Sequence, residues 1–418
     1  MDKFVVRDGK ALAGTIKSRG SKNAALPIMA ACILSNGKCV IENVPRLRDT
    51  ATMVALLRKF GAAVDVDGAG TCTVDAATIA DAVAPYELVR TMRASFFVLG
   101  PLLARLGWAR VSLPGGCAIG ARPVNLHIDG LRKMGADIEL VRGYVEAKAP
   151  KMRGANVHLE LPSVGATENL MMAACLAEGE TVIKNAAREP EIVDLQKFLL
   201  ALGASVEGAG TSEVRVQGKD ALGGAQHAVI PDRMETATLV LAGLITGGKV
   251  KVTRAMPEHL GAFLERLGKM GADVELGDTT IAASAGGRLK ACDVTSLPYP
   301  GFPTDLQPHI MAALSIAEGT SRITETIFER RFTQVSELVR MGADIEVESN
   351  VAVIRGVPNL VGAQVMAPDI RAGAALVLAA LAARGETHIL RAYHVDRGYE
   401  RLEEKLASLG ADIERVPE

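Results

Sequence analysis

The sequence lacks the features that mark exported, membrane-spanning and metal-binding proteins. Its first residues contain no apolar signal core or cleavage site, and its longest apolar runs, such as 237–245, are too short to span a bilayer. The six cysteines form no Cys-x-x-Cys pair, and no cysteine cluster or histidine pair has metal-ligand spacing. These absences predict a cytoplasmic chain with reduced thiols, no membrane association and no metal.

An excess of charge of one sign is also missing. The formal net charge is -1, so the chain has no general basic field and nucleic acid is not an expected partner. Hydrophobic residues make up 49% of the 418 residues and charged residues 23%. This composition excludes a disordered chain and predicts roughly two to three domains with large cores.

The sequence does contain a sixfold internal repeat. A Gly-Ala pair follows a helical pattern in each repeat, with its glycine at Gly61, Gly135, Gly203, Gly271, Gly342 or Gly410. A long apolar segment ends at a second glycine in each repeat, at Gly37, Gly107, Gly179, Gly248, Gly319 or Gly385. Each repeat is therefore predicted to run strand, apolar helix, strand, amphipathic helix and two strands.

The repeats predict an inside-out α/β arrangement of two domains. The first helix of each repeat is apolar nearly all round and should be buried, whereas the second should be half exposed. Three repeats packed around their buried helices would make a domain of about 200 residues. The last repeat lacks its final strand, and the pattern of residues 4–7 fits that place. We therefore predict a first domain over 22–230 and a discontinuous second domain over 1–21 plus 231–418.

Cations collect at the turns before the buried helices. Lys22, Arg93 and Arg371 stand at predicted helix N-termini, where the helix dipole disfavours positive charge. Their recurrence at equivalent positions favours turns that bind anions. Two alternatives remain, namely cations that merely extend into solvent and ordinary ion pairs such as Asp369 with Arg371.

Carboxylates at these turns also allow two interpretations. Asp305 follows a stiff segment that contains Pro303 and stands at a predicted helix start. It is either an N-cap residue or a general base for a substrate hydroxyl. Asp396 is either part of a site or the ion-pair partner of Arg397.

One cysteine has an unusual setting. Cys117 lies between glycines in the segment 114–123, five residues before Arg122. A neighbouring guanidinium favours the thiolate form, so Cys117 is a candidate reactive thiol; the alternative is a surface turn with an incidental cysteine. The other five cysteines have apolar surroundings and are expected to be core residues.

Five motifs together resemble the UDP-N-acetylglucosamine enolpyruvyl transferase family. They lie at 21–27, 114–123, 163–169, 303–307 and 396–400, and the resemblance extends from residue 3 to the C-terminus. It implies two inside-out α/β barrels, each of three βαβαββ repeats. It also implies transfer of the enolpyruvyl group of phosphoenolpyruvate to the 3′-hydroxyl of UDP-N-acetylglucosamine with release of phosphate. That reaction is the first committed step of peptidoglycan synthesis and needs no cofactor.

The resemblance implies a substrate-binding role for many of the residues in these motifs. The phosphate and carboxylate of phosphoenolpyruvate would be held by Lys22, Asn23, Arg122 and Arg397. The nucleotide sugar would contact Arg93, Arg122, Pro123, Val124, Asn125, Leu126, Ser163, Val164, Gly165 and Ile327. The closed state and the substrate charge would be stabilised by Arg331 and Arg371, and Asp369 belongs to the same binding set. Asn125 stands where the family usually carries aspartate, which leaves the uridine contact open.

The resemblance also implies the groups that move protons. Asp305 would accept the proton of the sugar 3′-hydroxyl. Cys117 would act as the acid near C3 of the enolpyruvyl group, or form a covalent adduct at C2, and it would be the target of the epoxide antibiotic fosfomycin. Because these residues belong to both predicted domains, we expect the site to open and close on the acceptor.

Three other functions remain as alternatives. A sister enzyme transfers enolpyruvyl to 3-phosphoshikimate, but it is not expected to carry the Cys117 segment. A repeat protein that cyclises RNA ends uses a nucleophilic histidine, and none of the seven histidines has such a context. An inactive paralogue would bind a UDP-sugar without turnover, although all the implied catalytic residues are present.

Overall fold

A computed structural model describes residues 2–7, 9–90, 92–113 and 124–418. These residues form two compact units. The inserted unit contains the described part of 20–230, and the discontinuous unit contains the described parts of 1–19 and 231–418. The inserted unit begins at Gly20 rather than at Lys22. Whether the two units are independently folding domains stays a prediction.

The strands of the described residues are short, with two to six residues each. In chain order they are β1 (Asp2–Arg7), β2 (Ala13–Lys17), β3 (Lys38–Glu42), β4 (Ala63–Val66), β5 (Cys72–Asp75), β6 (Val83–Ala84), β7 (Trp108–Ser112), β8 (Asp137–Val141), β9 (Tyr144–Lys148), β10 (Asn156–His158), β11 (Glu180–Lys184), β12 (Ser205–Glu207), β13 (Glu213–Gln217), β14 (Gln226–Ala228), β15 (Lys249–Thr253), β16 (Ala272–Gly277), β17 (Thr280–Ala285), β18 (Val294–Thr295), β19 (Thr320–Thr324), β20 (Asp344–Glu348), β21 (Val351–Arg355), β22 (Leu360–Val361), β23 (Gln364–Met366), β24 (Ala383–Arg384), β25 (Glu386–Leu390) and β26 (Ile413–Pro417).

Helices alternate with these strands. In chain order they are α1 (Lys22–Ala31), α2 (Arg48–Phe60), α3 (Tyr86–Val89), α4 (Leu99–Leu106), α5 (Asn125–Lys133), α6 (Val164–Ala174), α7 (Pro190–Ala201), α8 (Arg233–Ile245), α9 (Gly261–Lys269), α10 (Gln307–Leu314), α11 (Val335–Arg340), α12 (Ile370–Ala382) and α13 (Leu402–Ser408). Short 3₁₀ helices cover Cys32–Leu34, Arg93–Val98, Pro257–Leu260, Thr304–Leu306 and Ala392–Arg397.

Six four-stranded sheets among the described residues share one pairing pattern. In the inserted unit their orders are β14-β3-β5-β4, β6-β7-β9-β8 and β10-β11-β13-β12. In the discontinuous unit they are β2-β15-β17-β16, β18-β19-β21-β20 and β23-β25-β1-β26, with a small β22-β24 pair besides. In each four-stranded sheet the first pair is parallel and the others are antiparallel.

The N-terminal strand completes the last sheet. β1 lies between β25 and β26, with Phe4 opposite Ile389 on one side and Arg415 on the other. It occupies the third position of its sheet, which a strand of the local repeat fills in the other sheets. The last repeat therefore obtains its missing strand from the opposite end of the chain.

The apolar helices form the cores of both units. In α8 every residue from Met234 to Ile245 is buried, and in α12 every residue from Arg371 to Leu381. One core cluster of the inserted unit joins α1, α4 and α6, and one of the discontinuous unit joins α8, α10 and α12. The second helices of the repeats, such as α2 and α9, bury one face only. Because an apolar helix cannot be covered by a single sheet, three repeats share each core.

The six Gly-Ala glycines all adopt the backbone conformation that ends a helix. Gly61 ends α2 at a φ of 105°, and the equivalent glycines have φ values from 83° to 106°. Residues with a side chain rarely adopt this left-handed conformation. The repeated signature therefore reflects a local backbone requirement at six equivalent helix ends.

The described cysteines are core residues. Cys32, Cys39, Cys72, Cys175 and Cys292 are free thiols and all are buried. Among the described residues, no helix combines the length and apolarity needed to cross a bilayer.

Candidate functional site

The predicted site residues lie at helix starts and in turns of both units. Those of the inserted unit are Lys22, Asn23, Arg93, Val124, Asn125, Leu126, Ser163, Val164 and Gly165. Those of the discontinuous unit are Asp305, Ile327, Arg331, Asp369, Arg371 and Arg397. Three predicted residues lie outside the described residues, namely Cys117, Arg122 and Pro123.

Lys22 is the first residue of α1 and is held by an acidic neighbour. Ser21 caps the helix by accepting a hydrogen bond from the backbone N–H of Ala24 at 3.4 Å. The Nζ of Lys22 lies 3.3 Å from Oδ2 of Asp49, which belongs to the first turn of α2, and both side chains are buried. The cation at this helix start is therefore balanced by a carboxylate that comes from the next helix of the same repeat. Asn23 follows it in α1 and is half-buried.

Three segments of the inserted unit that were predicted to contact the nucleotide sugar lie close to His127. Gly165 lies so close to this ring that a Cβ atom at residue 165 would be 3.2 Å from His127 Cε1. Burial lowers the pKa of His127 to about 3, and the positive charge of Arg93 lowers it further. His127 is therefore a neutral residue of α5. It lies beside the start of α6 and close to the segment that begins at Arg93.

The proton of His127 can be placed from the hydrogen bonds around Asn169. The amide Nδ2 of Asn169 donates to Phe96 O at 3.2 Å and to His127 Nδ1 at 3.0 Å, while its Oδ1 accepts from Gly100 N at 2.7 Å. Because Nδ1 of the histidine accepts, its proton is on Nε2. Ser163, the N-cap of α6, accepts from Ala166 N at 3.3 Å. The first turn of α6 contains no acidic residue, which leaves its N-terminus suited to an anion.

In the discontinuous unit Asp305 is bound by two arginines. Its Oδ1 accepts a hydrogen bond from Arg331 Nη2 at 2.9 Å, and its Oδ2 accepts one from Arg371 Nε at 3.0 Å. The arginine side chains are only 3% and 5% exposed, whereas the aspartate side chain is 29% exposed. The carboxylate is therefore fixed from its buried side and retains access to solvent.

Asp305 does not occupy a helix-capping position. It is the middle residue of the 3₁₀ helix Thr304–Leu306, whose N-cap is Pro303, and the N-cap of the following helix α10 is Leu306. Of the two interpretations of Asp305, the N-cap one is therefore contradicted by the structure.

Asp369 is the capping residue of this region. It precedes α12 and accepts from the backbone N–H groups of Arg371 at 2.9 Å and Ala372 at 3.1 Å. Its other oxygen accepts from Thr333 Oγ1 at 2.7 Å. The guanidinium of Arg371 is thus directed at Asp305 rather than at its neighbour in the sequence. Burial opposes the charged form of Arg371, but the carboxylates of Asp305 and Asp232 and the hydroxyl of Tyr399 together outweigh burial and raise the pKa of Arg371.

A buried hydroxyl group supports Arg371 from the other side. Tyr399 lies with its oxygen 3.3 Å from Arg371 Nη1, 2.8 Å from His309 Nε2 and 3.0 Å from Thr238 Oγ1. Burial raises the pKa of Tyr399, so its phenol is protonated at neutral pH. Burial lowers the pKa of His309 to about 3, and the charge of Arg371 acts in the same direction. Both groups are therefore neutral.

Ile327 and Arg397 lie in turns of the discontinuous unit. The backbone N–H of Ile327 donates to Glu325 Oε1 at 2.8 Å, and the other oxygen of Glu325 accepts from Thr304 Oγ1 at 2.9 Å. Glu325 thus links the turn that contains Ile327 to Thr304, which is the residue before Asp305. Arg397 ends the 3₁₀ helix Ala392–Arg397.

Asp396 binds a partner that the sequence did not suggest. Its carboxylate accepts from Arg415 Nη1 at 3.0 Å and from Arg415 Nη2 at 2.5 Å. Arg415 lies in β26, which pairs with the N-terminal strand β1. Asp396 therefore contributes to the packing of the last sheet.

The sequence of the chain matches one protein family over nearly all its length. The model of the family described as EPSP synthase (3-phosphoshikimate 1-carboxyvinyltransferase) matches residues 6–406. Curated relatives named UDP-N-acetylglucosamine 1-carboxyvinyltransferase match the chain over 100% of its length and over 100% of their own. The one from Solibacter usitatus is 54% identical over 418 residues, and the one from Magnetococcus marinus is 52% identical over 417. The chain belongs to the UDP-N-acetylglucosamine 1-carboxyvinyltransferase family.

Solved structures of related enzymes have the same fold. The enolpyruvyl transferase NikO from Streptomyces tendae matches with a TM-score of 0.90 and 27% identity, covering 100% of this chain and 99% of that one. EPSP synthase from Acinetobacter baumannii matches with a TM-score of 0.78 and 19% identity over the whole of both chains. The second likeness concerns the fold alone. The predicted enolpyruvyl transferase fold is confirmed.

The described residues contain no group of three or more histidine, cysteine, aspartate or glutamate side chains placed to hold a metal ion.

The sequence did not reveal the polar partners of the predicted residues. Asp49, His127, Asn169, His309 and Tyr399 contact them or one another, yet none was singled out. An acid in the first turn of a helix is common for reasons of helix dipole alone, so Asp49 carried no distinctive signal. Asn169 and Tyr399 lie inside the recognised motifs 163–169 and 396–400 and could have been noted on that ground.

Proposed function

We propose that the chain transfers the enolpyruvyl group of phosphoenolpyruvate to the 3′-hydroxyl of UDP-N-acetylglucosamine and releases phosphate. One observation of geometry carries the proposal, namely the Asp305 carboxylate, held by two buried guanidiniums while 29% of its own side chain stays exposed. The names of relatives that are 52–54% identical over their whole length support the choice of acceptor.

In this mechanism Asp305 is the base for the acceptor hydroxyl. An ionised carboxylate only accepts hydrogen bonds, and Arg331 and Arg371 use one lone pair on each of its oxygens. The exposed part of the Asp305 side chain, 29% of its surface, gives the sugar hydroxyl access to this carboxylate. As its proton passes to Asp305, the sugar oxygen bonds to C2 of phosphoenolpyruvate and C3 takes up a proton from an acid. Loss of a proton from C3 and of phosphate from C2 then restores the double bond.

The anionic groups of phosphoenolpyruvate need several cations in a chain of almost no net charge. We assign this role to Lys22, Asn23, Arg122 and Arg397. The contact between Lys22 and Asp49 at 3.3 Å holds the ammonium group in place at the start of α1. A compact ammonium and a planar guanidinium suit phosphate and carboxylate respectively.

The nucleotide sugar is assigned to the segments that lie close to His127. Arg93, Val124, Asn125, Leu126, Ser163, Val164 and Gly165 form this set, together with Ile327 in the other unit and with Pro123 outside the described residues. The start of α6 suits a diphosphate, because its first turn contains no acidic residue and the helix dipole favours negative charge there. Arg331 and Arg371 are assigned to stabilising the closed state and the substrate charge, and Asp369 belongs to the same binding set.

Cys117 is assigned as the acid near C3 or as the nucleophile at C2. This residue lies outside the described residues, so the assignment rests on the motif. The five described cysteines are buried, which leaves Cys117 as the expected target of fosfomycin. In mass mapping of treated protein we expect label on Cys117. Cys117→Asp should stay active and resist the drug, since a carboxylic acid can still deliver a proton.

A phosphate-release assay tests the proposed function. The wild-type chain receives phosphoenolpyruvate with UDP-N-acetylglucosamine, with 3-phosphoshikimate, or with no acceptor. Release only with the nucleotide sugar supports the proposal. Release with 3-phosphoshikimate supports the activity that names the matching family model, and tight binding of the nucleotide sugar without release supports the inactive paralogue. A cytoplasmic location and the absence of nucleic-acid and membrane partners stay predictions.

A further inference from the structure

The hydroxyl of Tyr399 joins three buried side chains, those of His309, Thr238 and Arg371. Tyr399 is 1% exposed, His309 and Thr238 are 0% exposed, and Arg371 is 4% exposed. The hydroxyl oxygen lies between 2.8 and 3.3 Å from a polar atom of each of the three. Arg371 connects this cluster to the carboxylate of Asp305, because its Nε donates a hydrogen bond to Asp305 Oδ2.

The protons in this cluster have one consistent arrangement. Thr238 Oγ1 donates its only proton to the carbonyl of Met234 at 2.8 Å, so Tyr399 donates to Thr238. The two lone pairs of the Tyr399 oxygen then accept from Arg371 Nη1 and from His309 Nε2. This requires a neutral His309 with its proton on Nε2, which agrees with the lowered pKa of that ring. Every hydrogen-bonding capacity of the hydroxyl is used.

We propose that Tyr399 and His309 are positioning residues that orient Arg371 and, through it, the carboxylate of Asp305. A guanidinium is planar and rigid, so fixing Nη1 also fixes the direction of the Nε–H bond. Its Nη1 donates to Tyr399 at 3.3 Å and its Nε donates to Asp305 Oδ2 at 3.0 Å. The inference rests on the proposed function, in which Asp305 is the base for the acceptor hydroxyl.

Tyr399→Phe tests the hydroxyl while it keeps the ring and its packing. We expect kcat to fall about 10-fold to 100-fold, because small errors in the placement of a reacting group have effects of this size. The KM for UDP-N-acetylglucosamine should stay within about threefold, since Tyr399 is too buried to contact the sugar itself. A variant that unfolds more easily but keeps the wild-type kcat would show a purely structural role and overturn the inference.

Thr246→Val serves as the control for the loss of a side-chain hydroxyl and its hydrogen bond at a partly buried position. Thr246 Oγ1 accepts from the backbone N–H of Leu12 at 3.1 Å at the opposite end of α8. This variant should lose stability, as measured by urea unfolding, and keep its kcat. If its kcat falls as far as that of Tyr399→Phe, the effect of Tyr399 is one of general destabilisation and the inference fails.

A pair of substitutions at His309 tests whether this residue donates a hydrogen bond to the hydroxyl of Tyr399. His309→Gln keeps an N–H group at a similar reach, whereas His309→Met fills a similar volume without a donor. We expect His309→Gln to keep kcat within about threefold and His309→Met to lose activity as Tyr399→Phe does. Equal losses in the two variants would contradict the assignment of His309 as the donor.

The wild-type control separates this inference from the proposed function. A wild-type chain that forms no enolpyruvyl product from phosphoenolpyruvate and UDP-N-acetylglucosamine rejects the proposed function, and with it the role of Tyr399. An active wild type with an unchanged Tyr399→Phe variant rejects the inference alone.

Discussion

Asp305 and Glu168 are two carboxylates near the start of a core helix, one in each unit, and their surroundings are opposite. Asp305 precedes α10 and binds Arg331 and Arg371. Glu168 lies in α6, is 0% exposed, and neither of its carboxylate oxygens has a hydrogen-bond partner among the described residues. Two acids with similar places in the repeat thus have different chemistry.

The neighbours of Glu168 are acidic rather than basic. Burial raises the pKa of Glu168 well above its ordinary value, and the charges of Glu191 and Glu189 raise it further. Burial and these two acids therefore favour the neutral form of Glu168 inside the core. Asp305 has two cations behind it and 29% of its side chain exposed. The comparison teaches that exposure and charged partners, rather than residue type or place in the repeat, make a carboxylate available to a substrate.

The largest difference should appear in stability. Asp305→Asn leaves two guanidiniums, 3% and 5% exposed, without their carboxylate. We expect the free energy of unfolding to fall by about 3 kcal/mol, because an uncompensated buried charge is costly. Glu168→Gln changes a neutral carboxyl to a neutral amide and should not destabilise the chain. Urea unfolding measures both, and equal losses would remove the distinction between the two acids.

A second test concerns turnover. Asp305→Asn should lower kcat by about 10²-fold or more, which corresponds to about 2.7 kcal/mol of barrier, while binding of UDP-N-acetylglucosamine survives. Glu168→Gln should keep kcat within about threefold. Steady-state kinetics with titration of the nucleotide sugar provide the measurement. A normal kcat in Asp305→Asn would reject its assignment as the base.

The raised pKa of Glu168 predicts a pH dependence with a definite sign. The stability that a neutral Glu168 contributes is present below its unfolded pKa of 4.5 and is lost as pH rises toward the folded value. The advantage of Glu168→Gln over the wild type should therefore grow above pH 4.5, by up to about 1.4 kcal/mol per pH unit. Urea unfolding of both proteins across this range tests it. A difference that does not change with pH would show that Glu168 ionises normally in the fold.

The smallest effect is expected where the same geometry is exposed. Arg355 binds Asp344 at 3.1 Å and Glu346 at 2.9 Å, which are nearly the distances found around Asp305. The side chains of all three are between 47% and 70% exposed. Arg355→Met should leave the urea midpoint unchanged, because solvent screens such pairs. A loss comparable to that of Asp305→Asn would mean that the number of partners matters more than burial.

Much of the fold and part of the site could be predicted from the sequence. The six Gly-Ala glycines report a helix end with positive φ, and this requirement is local. Helices that are apolar all round, such as α8 and α12, can only be buried. The turns before these helices could also be located, and the charged residues that recur in them could be identified as candidate site residues.

The partners of those residues could not be predicted. Interpretations based on neighbours in the sequence paired Asp369 with Arg371, whereas Arg371 reaches Asp305, 66 residues away. Lys22 binds Asp49 across 27 residues, and Asp396 binds Arg415 in the last strand. Each of these contacts joins segments that only the packing of helices and sheets brings together.

By itself the sequence determined the repeat, the buried helices and the position of the candidate residues at helix starts, because backbone conformation and apolar periodicity are encoded over a few neighbouring residues. Only the tertiary structure decided which charges meet, which carboxylate is bound by cations and which is left neutral in a core. These outcomes depend on distances between segments far apart in the chain, and electrostatic interactions change with such distances and with burial.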